Sequence, residues 1–351
     1  MSYFRTAIAN TTGYIPGEQP KPDTPITKLN TNENPYPPSP QAIAALAAIS
    51  GEHLRRYPDP YAREFCQAVS AALDVPADWI IVGNGSDDVL NLLVRSCAEG
   101  DERPVVYPMP TYVLYRTLAS VQPAKIIEVP YPDTFQLPID GLIAAKGAIT
   151  FIASPNSPSG HEVPLDDLRI LAERSAGVIV VDEAYVDFGS RSALPLVQEF
   201  DNVMVLRTLS KGYSLAGLRL GFGVGQPNLI QELFKVKDSY NIDAVAIAVG
   251  TAAMRDQAHK NACAEKVKRS RTQLTTDLTN LGFTVPPSSA NFLLATVPPS
   301  AAGAEGLYLA LKERNILVRY FKQPGLDDKL RITVGTDEQN QKLIDTLKTL
   351  L

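Results

Sequence analysis

A lysine surrounded by hydroxyl groups and followed by an arginine is the arrangement in this sequence best suited to chemistry. Lys211 comes shortly after the apolar run Val203-Met-Val-Leu, which predicts a buried strand. Its neighbours in the chain are Thr208, Ser210, Ser214 and Arg219. Partial burial makes a lysine amine a nucleophile toward carbonyls, and hydroxyls with a guanidinium suit a phosphate. The stretch therefore indicates a pyridoxal-phosphate site, although an isolated lysine is usually a solvated surface residue.

Polar groups also follow several other predicted strands. The pairs of strand and following motif are Trp79-Ile-Ile-Val with Gly83-Asn-Gly-Ser-Asp87, Ile149-Thr-Phe-Ile-Ala with Ser154-Pro-Asn-Ser-Pro-Ser-Gly160, and Val178-Ile-Val-Val with Asp182-Glu-Ala-Tyr185. In an open α/β sheet, ligands bind at the carboxyl ends of the strands. The sequence therefore predicts that these motifs and Lys211 meet at one edge of a sheet.

Each motif allows a structural and a functional interpretation. Ser86 either caps the helix that begins there or helps its N-terminus bind an anion. Asp182 ends a buried strand, where a carboxylate needs a partner. That partner is either a pyridinium N–H or a metal ion, or else Asp182 is the acid of a Walker-B motif. The last alternative lacks a Gly-x-x-x-x-Gly-Lys loop. Tyr112 and Tyr185 are either packed aromatics or contacts to a flat ring.

The pattern of elements predicts how these residues are positioned. Residues 1–40 are rich in proline and asparagine and predict an extended arm that packs on the small domain or on a partner subunit. Residues 41–245 alternate helix and strand, which predicts a large, mostly parallel α/β domain. Residues 246–351 predict a smaller α+β domain, in which Thr336 and Gln339 have the spacing of a capping box.

Composition narrows the range of partners and compartments. The net charge of −5 and the pI near 5.4 argue against a nucleic-acid partner. The longest apolar run, residues 42–49, is too short to span a membrane. Scattered cysteines and the unclustered His53, His161 and His259 make a disulfide framework or a zinc site improbable, so we expect a cytoplasmic protein without a metal.

Taken together, the motifs resemble those of one known family. In chain order they are Asn32-Glu-Asn-Pro-Tyr36, Arg56-Tyr-Pro-Asp59, Gly83–Asp87, Ser154–Gly160, Val181–Tyr185, Thr208–Lys211, Leu218-Arg-Leu-Gly-Phe222 and Leu330-Arg-Ile-Thr-Val-Gly335. The chain resembles the fold-type I pyridoxal-phosphate aminotransferases from about Tyr14 to its C-terminus. Within them it is most similar to the histidinol-phosphate aminotransferase branch.

The resemblance implies a role for each candidate residue. Lys211 would hold pyridoxal 5′-phosphate through its amine, Asp182 would keep the ring nitrogen protonated, and Tyr185 would bind the ring oxygen. The residues at or beside the cofactor phosphate would be Gly85, Ser86, Asp87, Thr208, Ser210 and Arg219. Tyr112 would stack on the ring. Tyr57 would reach the cofactor phosphate of the other subunit, which requires a homodimer with shared active sites.

Substrate contacts are expected mainly from the small domain. The resemblance assigns the carboxylate of glutamate or 2-oxoglutarate to Arg331, and it adds Tyr14, Asn34 and Asn291 as candidates. Arg319 lies on the preceding predicted strand, and alternation along the two strands allows both arginines to face one anion. Its structural alternative is a solvated side chain.

One position departs from the family pattern. The family usually has an asparagine directly before Pro-Thr-Gly, whereas this chain has Ser157 there and Asn156 one residue earlier. Because an amide donor is needed, we assign the ring-oxygen contact to Asn156.

The predicted reaction is transamination between histidinol phosphate and 2-oxoglutarate, giving imidazole acetol phosphate and glutamate in histidine biosynthesis. An aromatic amino-acid aminotransferase and a threonine-phosphate decarboxylase share the fold and nearly every motif. A transcription regulator with an aminotransferase-like domain would need an added basic DNA-binding module, for which this acidic chain leaves no room.

Overall fold

In a computed structural model, described for residues 3–9, 11, 13, 17–20 and 25–351, a seven-stranded sheet forms the centre of the large domain. Its strand order is β2-β8-β7-β6-β5-β3-β4, and only β8 runs antiparallel to its neighbours within this sheet. The strands of the chain are β1 (Thr27–Lys28), β2 (Ile80–Asn84), β3 (Gly100–Met109), β4 (Ala124–Pro130), β5 (Ile149–Ala153), β6 (Val178–Asp182), β7 (Val203–Thr208), β8 (Leu220–Gly225), β9 (Phe292–Thr296), β10 (Ile316–Leu317), β11 (Arg319–Tyr320) and β12 (Lys329–Thr333). The predicted α/β class is confirmed.

Helices cover both faces of this sheet and complete the small domain. They are α1 (Thr6–Ala9), α2 (Pro40–Ala47), α3 (Gly51–Leu54), α4 (Arg63–Leu73), α5 (Ser86–Cys97), α6 (Leu114–Val121), α7 (Ile139–Ala144), α8 (Leu165–Arg174), α9 (Leu194–Glu199), α10 (Pro227–Val236), α11 (Ala244–Arg255), α12 (Gln257–Asn280), α13 (Gly303–Glu313) and α14 (Asp337–Leu350). Thr336 and Gln339 form the predicted capping box of α14.

The central strands are buried because successive side chains enter two different cores. Along β6, Val181 packs into one cluster and Val180 into the other, and in β5 Ile152 and Phe151 divide in the same way. A parallel strand covered by helices on both faces has no solvent side, which explains the near-continuous apolar runs in the sequence. The charged group of β6, Asp182, therefore lies at the end of its strand.

The small domain is built on a three-stranded antiparallel sheet in the order β11-β12-β9. Its core takes side chains from α12, α13 and α14, beginning with Ala264 and Val267 of α12. The predicted boundary between residues 245 and 246 is displaced, because α11 packs its Ala246, Ile247 and Val249 into the core of the large domain. Its apolar sequence gives no sign of which domain it joins, and the change of domain occurs near Asp256.

The N-terminal arm packs on its own chain. Strand β1 pairs in parallel with β10 of the small domain, with Thr27 opposite Ile316. Before it, the Arg5 guanidinium donates to the carbonyl of Val121 at the end of α6, 3.0 Å away. The described part of the arm therefore contacts both domains of its own chain. Among the described residues, no helix is long and apolar enough to cross a membrane.

Candidate functional site

A cleft of about 1030 Å³ lies where the strand ends of the large domain face the small domain. Its walls come from the ends of β5, β6 and β7, the start of α5, and the arginines of β11 and β12. A short segment, residues 29–34, runs between the domains and supplies another wall; we call it the strap. The predicted strand-end motifs therefore do meet at one edge of the sheet.

Lys211 projects into this cleft beyond the end of β7. Its ammonium donates to the carbonyl of Thr31 in the strap at 3.2 Å and lies 5.7 Å from the centre of the Tyr185 ring. The backbone carbonyl of Lys211 accepts a hydrogen bond from the Asn34 amide at 3.0 Å. Both ends of the lysine are thus held by the strap.

One end of the cleft has the donors that an anion requires. Ser86 begins α5, so the positive end of the helix points here, and the hydroxyls of Thr208 and Ser210 lie beside it, 2.9 Å from each other. The Arg219 guanidinium packs over Gly85, where an added Cβ would come within 2.6 Å of its Nη2. Gly85 has a φ of 77°, so the turn into the helix needs glycine both for backbone shape and for space.

Asp87 contacts both Arg219 and Tyr112 at this end of the cleft. Its carboxylate lies 3.5 Å from Arg219 Nη2 and accepts a hydrogen bond from the Tyr112 hydroxyl at 3.3 Å. These contacts fix the guanidinium and the Tyr112 ring relative to each other. Tyr112 itself lines the cleft.

Asp182 ends β6 in a nearly dry environment. Its carboxylate accepts hydrogen bonds from the Tyr115 hydroxyl at 2.8 Å and from the backbone N–H of Ala184 at 3.1 Å. Burial raises the pKa of Asp182 to about 6, and these two donors oppose that rise. Sequence reasoning missed Tyr115, since a fully buried tyrosine stacked on Phe151 has the same sequence signature as an ordinary core aromatic.

Two arginines face the cleft from neighbouring strands of the small domain. Arg319 of β11 and Arg331 of β12 are directly opposite each other, so their side chains share one face. Their guanidinium carbons lie 5.4 and 5.5 Å from the centre of the Phe321 ring. Like charges placed opposite one another destabilise a sheet, which favours an anion between them. Arg331 also donates to Ser157 Oγ at 3.1 Å and to the carbonyl of Asn30 at 3.0 Å.

The structure corrects the assignment of Asn156. Its side chain is fully buried behind the cleft wall, where its Nδ2 donates to Ser159 Oγ at 2.8 Å and to the Pro110 carbonyl at 3.1 Å, and its Oδ1 accepts from Thr111 at 2.7 Å. Ser157 lines the cleft instead. An Asn156 amide committed to three partners is not available to a ligand, so Ser157 replaces it as the candidate for the ring-oxygen side.

Other expected substrate contacts lie elsewhere. Asn34 holds the backbone carbonyls of Lys211 and Gly212, so its amide serves the chain itself. Asn291 is fully buried and donates to the carbonyl of Asn32 at 3.0 Å, which places it beneath the strap. Both assignments are therefore corrected. Tyr14 lies outside the described residues.

Tyr57 lies on the outer surface, away from the cleft of its own chain. It is 83% exposed and stacks on Tyr240 with 4.6 Å between ring centres. Exposed apolar side chains accompany it along α2, α3 and the following turn, at Ile43, Leu46, Leu54 and Tyr61. Tyr57 therefore does not line the cleft of its own chain.

Comparison with known proteins identifies the family. The family model described as aminotransferase class I and II matches residues 24–347. Histidinol-phosphate aminotransferase 1 of Nostoc sp. (strain PCC 7120) is 63% identical over 350 residues, covering 100% of this chain and 98% of that protein. A protein of the same name from Trichormus variabilis is also 63% identical over 350 residues, covering 100% of this chain and 99% of that one.

A solved structure agrees in fold. Histidinol-phosphate aminotransferase from Sinorhizobium meliloti, crystallised in complex with pyridoxal-5′-phosphate, superposes with a TM-score of 0.90 at 24% identity, covering 100% of this chain and 99% of that chain. The resemblance found in the sequence motifs is confirmed. By sequence and by fold, the chain belongs to the aminotransferase class I and II family of enzymes.

Proposed function

We propose that this chain is a pyridoxal 5′-phosphate-dependent transaminase that acts on histidinol phosphate and 2-oxoglutarate, giving imidazole acetol phosphate and glutamate in histidine biosynthesis. The observation that carries the proposal is the position of the Lys211 amine, in one cleft with Asp182, with an anion-binding end, and with paired arginines. The names of the relatives that are 63% identical over the whole chain support the choice of substrate. We place the enzyme in the cytoplasm, since its cysteines are free thiols.

The side chains present fit the cofactor. The close packing of Arg219 on Gly85, with the hydroxyls of Thr208 and Ser210 and the start of α5, provides a cradle for a phosphate. A buried carboxylate at Asp182 suits a protonated ring nitrogen, because the ring would then supply the charge partner that burial demands. Tyr112 and Tyr185 line the space between these two groups and the Lys211 amine.

When bound, the cofactor supplies an electron sink that acidifies the Cα–H bond of an amino substrate. Lys211 would hold it and, once released by the amino donor, would accept the proton from the substrate Cα. Asp182 would keep the ring nitrogen protonated throughout. Tyr185 and Ser157 would bind the ring-oxygen side, and the arginines would hold the far end of the substrate in both half-reactions.

The arginine pair accounts for the choice of substrates. A carboxylate has two acceptor oxygens and is satisfied by one guanidinium, whereas a phosphate dianion has three and can accept from two. Arg331, fixed by Ser157 and Asn30, would serve the carboxylate of 2-oxoglutarate. With Arg319 beside it, the same place would accept the phosphate of histidinol phosphate.

A panel of amino donors with the purified protein tests the proposal. We expect histidinol phosphate to be the preferred donor and 2-oxoglutarate the acceptor. Preference for phenylalanine or tyrosine would identify the aromatic aminotransferase instead. Release of carbon dioxide from threonine phosphate, without transfer of its amino group, would identify the decarboxylase.

Replacing Arg319 by leucine should separate the two substrates. We expect the Arg319→Leu variant to lose about 2–4 kcal/mol of transition-state stabilisation with histidinol phosphate, the range for truncating one partner of a hydrogen-bonded charge pair. The half-reaction with glutamate should suffer less, because Arg331 remains. Single-turnover kinetics of each half-reaction give both numbers. Arg314→Leu, which removes an exposed arginine from the end of α13, is the matched control. Equal losses for both substrates would contradict a phosphate-specific role for Arg319.

We further propose a homodimer in which each active site borrows Tyr57 from the partner. The exposed apolar residues around Tyr57 support an interface on this face, because monomers rarely leave so many large side chains in water. A tyrosine hydroxyl that reaches the cofactor phosphate across this interface would make the isolated chain incomplete.

Mixing two inactive variants tests the shared site. A Tyr57→Phe dimer and a Lys211→Ala dimer are each defective, but in a mixed dimer one site carries both changes and the other carries neither. If subunits exchange freely between equal amounts of the two, about one quarter of all sites should be intact, since half of the dimers are mixed. Activity measured after exchange should rise to that level. Activity that stays at the mean of the two parents, in a sample shown by mass spectrometry to contain mixed dimers, would rule out the exchange of Tyr57.

A further inference from the structure

Asn32 makes an unusual set of hydrogen bonds in the strap. It is 1% exposed, and its φ of 56° lies in the left-handed region that asparagine tolerates better than most residues. Its Nδ2 donates to the Tyr185 hydroxyl at 2.9 Å, and its Oδ1 accepts from Thr333 Oγ1 at 3.1 Å. One side chain thus connects the small domain to a tyrosine that lines the cleft.

The orientation of the Asn32 amide follows from the hydrogen bonds around it. The Thr333 hydroxyl accepts a hydrogen bond from the backbone N–H of Asn32 at 3.0 Å, so its own proton is directed toward Asn32 Oδ1. This leaves the Nδ2 group facing Tyr185. The carbonyl of Asn32 accepts from Asn291 at 3.0 Å, which fixes the backbone as well.

The direction of the bond to Tyr185 has a chemical consequence. A phenol that accepts a hydrogen bond from an amide keeps its own proton for a second partner. Tyr185 lines the cleft, so that proton is available on the cleft side. The contact of its ring with Phe292, at 5.0 Å between centres, restricts its position further. Tyr185 is thereby prepared to act as a donor toward the cleft.

We propose that Asn32 is a positioning residue that sets the direction of the Tyr185 hydroxyl proton toward the ring oxygen of the bound cofactor. The inference rests on the proposed function, because the acceptor of that proton would be an oxygen of the bound cofactor. The Lys211 ammonium lies 5.7 Å from the centre of the Tyr185 ring, and the Asp182 carboxylate lines the same cleft. Neither is changed by a substitution at Asn32.

The pH titration of the visible absorption band of the cofactor-loaded enzyme measures this effect. A donor at the ring oxygen stabilises its negative form, so the titration midpoint lies low while Tyr185 donates. In Asn32→Gly, which removes the amide but accepts a φ of 56° without strain, we expect the midpoint to rise by about half a pH unit or more. In Tyr185→Phe it should rise at least as far.

Two further variants separate positioning from simple stabilisation of the strap. Asn291→Ala removes a different hydrogen bond to the strap but leaves Asn32 and Tyr185 in contact. We expect it to lower the unfolding temperature, as Asn32→Gly does, without moving the titration midpoint. In the Tyr185→Phe background, Asn32→Gly should cause no additional shift, since its partner hydroxyl is already gone.

Each other outcome overturns the inference. An unchanged midpoint in Asn32→Gly, or a shift of the same size in Asn291→Ala, would leave Asn32 as a purely structural residue. A shift that persists in the Tyr185→Phe background would show that Asn32 acts by another route. Failure of the wild-type protein to bind pyridoxal 5′-phosphate would overturn the proposed function together with this inference, whereas the preceding results overturn this inference alone.

Discussion

Replacing Lys211 by alanine should abolish transamination and leave the fold intact. The amine would have two roles, as the covalent anchor of the cofactor and as the proton carrier at the substrate Cα. Loss of the proton-transfer role alone corresponds to a fall of about 10²–10⁴-fold in rate. We therefore expect kcat to drop by at least about 10⁴-fold when both roles are lost. Steady-state kinetics with histidinol phosphate measures the change, and circular dichroism checks the fold.

Chemical labelling locates the amine independently of activity. Borohydride reduction of the cofactor-loaded protein should fix the cofactor on Lys211, which peptide mapping would find. Lys237 is the informative competitor, because burial lowers the pKa of its amine. That ammonium donates to Pro60, Asp238 and Asn241, however, and its contacts lie outside the cleft. A label on Lys235 or Lys237 would contradict the proposed site.

Replacing Asp182 by asparagine should slow catalysis strongly but should raise the stability of the cofactor-free protein at neutral pH. A neutral amide no longer stabilises a protonated ring nitrogen, so we expect a loss of about 10²–10³-fold in the single-turnover rate, as for other contacts to developing charge. Tyr115→Phe is a matched comparison, because it keeps the carboxylate but removes one of its donors. Its loss should be smaller. Near-normal turnover by Asp182→Asn would exclude the role in proton transfer.

We expect the effect of Asp182→Asn on stability in the cofactor-free protein, and we expect it to depend on pH. The folded pKa of Asp182, raised by burial to about 6 from the ordinary 3.8, means that the carboxyl binds its proton more tightly in the folded state. Its contribution to stability is therefore fully present at low pH and is lost as pH rises through 6. The asparagine variant escapes this loss. Its advantage in unfolding free energy should grow between pH 4 and 7 to about 3 kcal/mol, measured by urea denaturation. A difference in unfolding free energy between the variant and the wild type that does not vary with pH would contradict the buried, titrating carboxyl.

Residues that end buried strands were the predictable part of the site. Lys211 and Asp182 follow apolar runs, and parallel strands bring their carboxyl ends to one edge, so the sequence alone places them together. The pairing of Arg319 with Arg331 was predictable for a similar reason, because alternation along two adjacent strands allows only a few arrangements. In both cases the regular geometry of a strand determines, from the spacing in the sequence, where a side chain lies and which way it points.

Residues in irregular segments were not predictable in this way. In the proline-rich turn after β5, backbone conformation alone decides that Ser157 faces the cleft and Asn156 faces the interior. The strap makes its contacts with residues that are far away in the chain, such as Tyr185 and Thr333, and no periodic pattern records them. Tyr115 was missed because its hydroxyl takes part in the site through a hydrogen bond to Asp182, which lies 67 positions later in the chain.

The pairing of β1 with β10 has a consequence for how the protein is made. Thr27 is synthesised early, yet its partner Ile316 emerges from the ribosome only near the end of translation. The core of the large domain consists of residues up to Met254 and can form before then, whereas the bonds of the strap to Asn291 and Thr333 require the small domain. Contacts that close so long a loop form late. We therefore expect the groups around Lys211 to assemble last, so that cofactor capture marks the end of folding.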